Sequence, residues 1–138
     1  NSGDYDFSFS GLKTAVLYLI KNLQKDDPHV LDREEVKTEI AHEFQEAAVD
    51  VLVTKTMRAV EEYGAKSIMV GGGVPANKRL RESLKRSLTS FGRETSLHLP
   101  TMFLSTDNAT MIAASAYINI LTNKKIPEDF EADGNLSI

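Results

Sequence analysis

The sequence predicts an α/β chain, predominantly helical with two short strands. Three observations carry that reading. Apolar residues recur at helical spacing over four stretches, two short apolar runs stand next to glycine or proline, and the order is helix, long helix, strand, helix, strand, helix. No internal repeat and no low-complexity tract interrupts it. At 138 residues there is room for about one domain.

Each element has its own cause. Ser10 precedes Gly11-Leu12-Lys13-Thr14-Ala15-Val16-Leu17-Tyr18-Leu19-Ile20, and its hydroxyl is suited to accept from a first-turn amide, so a helix is expected over 10–24. Lys25-Asp26-Asp27-Pro28-His29 is polar and holds a proline, which predicts a connection. Over 33–63 one face carries Ile40, Phe44, Ala47, Ala48, Val51 and Leu52, and Val49, Val53, Met57 and Val60 widen it. This helix is expected to be buried on several sides, with Gly64 as its left-handed cap.

Lys66-Ser67-Ile68-Met69-Val70 reads as a short buried strand running into Gly71-Gly72-Gly73. Next comes a helix with Leu80, Leu84, Leu88 and Phe91 on one stripe and Lys78, Arg79, Arg81, Lys85 and Arg86 opposite, ending at Gly92. Ser96-Leu97-His98-Leu99 is the second strand, closed by Pro100. Thr106-Asp107-Asn108 opens a last helix to about Leu121, and a loose polar tail is expected from Asn123. Two short strands make a poor sheet, so the pattern asks for strands the chain does not contain. The N-terminal Asn1-Ser2-Gly3-Asp4 has neither Met nor the charged and apolar regions of a signal peptide, and reads as part of something longer.

Composition excludes several functions. Twenty acidic against sixteen basic residues give a net charge of −4, which argues against a surface built throughout for nucleic acid. No cysteine is present, which removes disulfides, thiolate metal sites and cysteine nucleophiles, and suits a cytoplasm. No window approaches the apolar length of a membrane span.

The strand, triple glycine and Pro75 near a helix start would let a ligand lie against backbone and meet helix-terminal amides. The same glycines also make a plain turn; neither the dinucleotide fingerprint nor the P-loop pattern is present. Asn77 can read a sugar hydroxyl or a base edge, or cap the helix. Asp107 can cap the last helix or ligate a metal. His29, His42 and His98 show no ligand spacing, and Glu46 stands where a zinc protease signature beginning at His42 needs its second histidine. His42 is therefore expected on a helix surface. The basic face from Lys78 to Arg86 is usually just solvated, with phosphate or tRNA contact as a secondary reading. Ser10 and Lys13 have Ser-x-x-Lys spacing but lack the partner motifs.

Taken together, Asp6-Phe7-Ser8-Phe9-Ser10-Gly11-Leu12-Lys13-Thr14-Ala15, Gly71-Gly72-Gly73-Val74-Pro75-Ala76-Asn77-Lys78-Arg79-Leu80-Arg81 and Ser105-Thr106-Asp107-Asn108-Ala109-Thr110-Met111-Ile112-Ala113 resemble the TsaD family of bacterial tRNA threonylcarbamoyladenosine transferases, formerly called glycoproteases. The resemblance implies an actin-like ATPase fold of ribonuclease-H-like lobes, of which residues 1–138 would be a single partial domain, roughly the C-terminal two fifths. It implies that the complete enzyme moves threonylcarbamoyl from its adenylate to the adenosine beside the tRNA anticodon, with TsaB-like and TsaE-like proteins as partners.

By the same resemblance Asn77 contacts substrate, Gly72 and Gly73 line the nucleotide pocket that takes threonylcarbamoyl-adenylate or ATP, and Asp107 is one of three ligands of an iron or zinc ion. The family's His-x-x-Gly-His motif and both its phosphate loops are absent here, and Pro75 replaces a small residue common in relatives. One ligand of three does not hold a catalytic ion, so this chain alone is expected to be inactive, to lose the metal, and to self-associate through open strand edges. The competing reading is a noncatalytic nucleotide-binding or protein-interaction module. The protease label finds no nucleophile-base pair here.

Overall fold

The computed structural model describes residues 3–92, 94–106 and 109–122. Four helices and two strands follow one another as α1 (Ser10–Asp26), α2 (Glu34–Tyr63), β1 (Ser67–Met69), α3 (Lys78–Phe91), β2 (Ser96–His98) and α4 (Ala109–Leu121). The α/β reading and the element order both hold. The expected polar tail from Asn123 lies outside the described residues.

β1 and β2 pair in parallel, with Ser67 opposite Ser96, Ile68 opposite Leu97 and Met69 opposite His98. Parallel neighbours need a crossover connection, and α3 supplies it. The apolar stripe of α3 explains its docking. Leu80 and Leu84 meet Val49 and Val53 of α2, and Leu52, Met57, Val70 and Leu97 close around this cluster. Each fully buried Val or Leu contributes about 1.5–3 kcal/mol, so this small knot holds α2, α3 and one sheet face together.

The other sheet face is open. β1 was expected to be buried, but only Ile68 is; Ser67 and Met69 are exposed, Met69 at 83%. Alternate residues of a strand point to opposite faces, and no described element covers the second one.

α2 is buried along its second half, at Val49, Val53, Lys55 and Val60. Val49 and Val53 face α3, Lys55 is turned under the N-terminal segment, and Phe44 remains 42% exposed. Gly64 adopts φ +60, and the Ala65 amide donates to the Val60 carbonyl at 3.1 Å, which ends the helix as expected.

Two local expectations need correction. Ser10 does not cap α1: it is the first helical residue, Phe9 precedes it, and no side chain accepts from that turn. The segment after α1 is also more structured than a plain connection. α1 continues to Asp26, Asp27 accepts from the His29 amide and the Arg33 guanidinium, and a short 3-10 turn over Val30–Asp32 buries Val30. That turn and the two helices border an apolar groove of about 600 Å³ lined by Leu12, Val16, Leu23, Ile40 and Phe44 among others.

Lys55 explains the path of residues 3–9. Its ammonium group donates to the Asp6 carbonyl at 2.5 Å, lies 3.4 Å from the Asp4 carboxylate, and sits 5.7 Å from the Phe7 ring centre. Arg58 stacks 4.5 Å from the Tyr5 ring centre and donates to the Asp4 carbonyl. The Tyr5 hydroxyl donates to Glu62, whose carboxylate raises that phenol above its ordinary range. The N-terminal segment is thus strapped along the second half of α2. α4 has no buried residue, and Ile112, Tyr117, Ile118, Ile120 and Leu121 are all more than half exposed. No described helix is long and apolar enough to cross a membrane.

Candidate functional site

The chain leaves β1 through Gly71, Gly72 and Gly73. Gly72 has φ +76, a conformation an L side chain adopts only at a cost, so glycine is needed to turn the backbone there. Gly73 lies in the ordinary helical region, φ −79 and ψ −25. A Cβ added at Gly73 would stand 3.7 Å from the Ser105 carbonyl oxygen, which measures how closely the facing loop approaches. Together Gly72, Gly73, Leu104, Ser105, Thr106 and Met111 line a cleft of about 310 Å³. The two expected pocket glycines therefore do share a cavity with the segment that leads to Asp107. Asp107 and Asn108 themselves lie outside the described residues.

Asn77 takes the capping role, one of the two the sequence offered. A 3-10 turn over Val74–Ala76 separates the glycines from α3, with Pro75 buried at its second position. Helix α3 therefore starts at Lys78 rather than at Pro75, and Asn77 is its N-cap. The Asn77 Oδ1 accepts from the Leu80 amide at 3.1 Å, and its amide group points 3.4 Å from Gln45 Oε1 on α2. The Asn77 carbonyl accepts the Arg81 amide as well. Neither Asn77 nor the first turn of α3 lines the cleft. The capping alternative is thus realised, and the helix-terminal amides expected to meet a ligand are not at the cavity.

The basic face of α3 is also reduced. Arg79 forms a two-bond fork with Glu46 of α2, Nε to Oε1 at 2.5 Å and Nη2 to Oε2 at 2.6 Å. The fork holds the Glu46 carboxyl below the usual carboxylate range and raises Arg79 further. Arg81 is engaged by backbone, leaving Lys78, Lys85 and Arg86 as the exposed cations of the five. Sequence reasoning placed Arg79 and Arg81 with the solvated cations because helical position alone does not show a neighbouring helix or loop.

Among the described residues no three His, Asp or Glu side chains converge to hold a metal ion. His42 is exposed on α2, as expected, and His29 pairs with Asp32 at 2.9 Å. The described residues therefore do not by themselves furnish a metal site, and Asp107 lies outside them.

The cleft lies between two of the three sequence blocks singled out above. A family model described as TsaD, tRNA N6-adenosine threonylcarbamoyltransferase, matches residues 1–114 and so takes in both walls. The chain belongs to the TsaD family. Among TsaD-family relatives named tRNA N6-adenosine threonylcarbamoyltransferase, one from Bacillus licheniformis is 43% identical over 116 residues, 84% of this chain and 32% of its own length. One from Listeria monocytogenes is 38% identical over 138 residues, covering 99% of this chain and 38% of the relative. One from Burkholderia cenocepacia is 42% identical over 135 residues, 96% of this chain and 37% of the relative. The chain spans between 32% and 38% of the length of these curated TsaD-family proteins.

Proposed function

We propose that this chain is the C-terminal part of a cytoplasmic tRNA N6-adenosine threonylcarbamoyltransferase. The complete enzyme takes threonylcarbamoyl-adenylate, transfers its acyl group to the amine of the adenosine beside the anticodon, and works with TsaB-like and TsaE-like partners. The segment belongs to the C-terminal lobe of an actin-like fold, as a single partial domain. The observation that carries this reading is the family match, which extends across both walls of the glycine cleft.

In this reading the exposed glycine backbone at Gly72 and Gly73 receives the nucleotide of the adenylate. Without side chains there, a flat ring or ribose can approach the main chain directly. Asn77 contributes by fixing the start of α3 through its carboxamide oxygen, and by the family resemblance its amide meets substrate once the rest of the enzyme is in place. Asp107, which follows Thr106 at the cleft wall, is one ligand of an iron or zinc ion whose other ligands come from elsewhere in the enzyme. The open sheet face and the exposed α4 are surfaces that the rest of the enzyme covers. The isolated chain is expected to be inactive and to bind ATP weakly.

The test joins this chain to the part of the Listeria monocytogenes relative that lies outside the matched 38%. With tRNA, labelled threonylcarbamoyl-adenylate and the partner proteins, the fusion should form threonylcarbamoyladenosine. Asp107→Ala in it should lower both bound metal, read by elemental analysis, and transfer. No transfer by the fusion, with the relative itself active alongside, would overturn the proposal. Nucleotide binding retained without transfer would favour the noncatalytic module.

A further inference from the structure

Arg81 lies in the first turn of α3, but its guanidinium bonds to three segments outside that helix. Its Nε donates to the Pro75 carbonyl, in the turn that follows the glycines. Its Nη2 donates to the Pro100 carbonyl at 2.5 Å and to the Ser105 hydroxyl at 3.1 Å. Ser105 Oγ in turn donates to the Thr101 carbonyl at 2.9 Å, within the 3-10 turn Met102–Ser105. Pro75 and Ser105 are the most completely buried of these groups.

The three acceptors are neutral, so an ordinary ion pair does not account for this placement. A guanidinium presents its donors in a rigid planar fork, and several acceptors bound to one fork are held at a fixed separation. Here those acceptors belong to the glycine corner and to the loop facing it. We propose that Arg81 is a positioning residue: it clasps the Ser105–Thr106 loop to the turn after Gly73 and thereby sets the width of the cleft between them. This deepens, and rests on, the reading of that cleft as the nucleotide site of the transferase.

The experiment compares Arg81→Ala, Arg81→Lys and the control Arg79→Ala in the fusion enzyme. The control also removes a bonded α3 arginine but leaves the cleft walls untouched. Misplacing reacting groups by about 1 Å costs up to about 100-fold, so both Arg81 variants should lower kcat by about 10- to 100-fold, with the KM for tRNA within about two-fold. The Leu104 amide, which donates to the Thr101 carbonyl at 3.1 Å, should exchange its hydrogen faster in both. Arg79→Ala should show neither effect, and lysine should not rescue kcat because one ammonium does not reproduce the fork.

If Arg81→Ala lowers kcat no more than Arg79→Ala, or leaves Leu104 exchange unchanged, the clasp is wrong. Should Arg81→Ala fail to fold, Ser105→Ala removes one acceptor alone and is expected to accelerate Leu104 exchange; unchanged exchange there overturns the proposal. An unsubstituted fusion without transfer would instead sink the functional reading, and the exchange comparison would still decide the clasp.

Discussion

Asn77 offers a clean separation of a structural from a chemical role. Its Oδ1 satisfies the Leu80 amide at 3.1 Å, one of the four orphan donors at the start of α3. Replacing a capping asparagine by alanine costs about 1 kcal/mol, and for a chain of this size that lowers Tm by roughly 3–6 °C. Asn77→Asp keeps an oxygen acceptor and adds a negative charge at a helix N-terminus, worth about 0.3–1 kcal/mol, so its Tm should match that of the parent or exceed it. The second contact, 3.4 Å to Gln45, is long and adds little to either sum. Thermal denaturation of the three proteins decides the matter. An alanine variant as stable as the parent, or an aspartate variant that falls with it, would refute the cap assignment. In the fusion enzyme the aspartate variant, stable but lacking the amide N–H, should raise the KM for the adenylate if Asn77 also meets substrate.

Two further expectations concern charge and association. Glu46 is held below the usual carboxylate range by its bonds to Arg79, so the pair stabilises above the unfolded glutamate value of about 4.3 and loses that contribution as pH falls through the lowered folded value. The Tm gap between parent and Glu46→Gln should therefore be full near neutrality and shrink below about pH 4.3; a constant gap would contradict this. The open edges of the β1–β2 pair and the exposed apolar side chains of α4 should make the isolated chain self-associate. Sedimentation that stays strictly monomeric at high concentration would count against it.

What was legible in the sequence is what local chemistry determines. Leu80, Leu84 and Leu88 announce α3 by spacing, Gly64 marks the end of α2, and the runs around Ile68 and Leu97 mark the strands. The misplacements have one physical origin. Ser10 has the right side chain for a cap, but the helix includes it, and Pro75 belongs to a separate 3-10 turn rather than to α3. The roles of Lys55 and Arg81 were not legible because each bonds to main-chain carbonyls of other segments, and a carbonyl leaves no trace in residue type. Lys55 gave a faint signal as a lone cation between Val53 and Met57. The triple glycine stood out between a strand and a helix start, but the loop opposite it was linked to the same site only by the family resemblance.

Gly73→Val tests most directly whether the nucleotide lies in the cleft. The backbone at Gly73 is ordinary, and among the described residues a Cβ there meets the Ser105 carbonyl alone, at van der Waals distance. The fold should accept the substitution, with Tm lowered by no more than about 3 °C, while the isopropyl group occupies space the adenylate needs. The measurement is the KM for threonylcarbamoyl-adenylate of the fusion enzyme with and without this change. The account predicts a rise of about ten-fold or more, equivalent to about 1.4 kcal/mol of lost binding. An unaltered KM with unaltered transfer would contradict it.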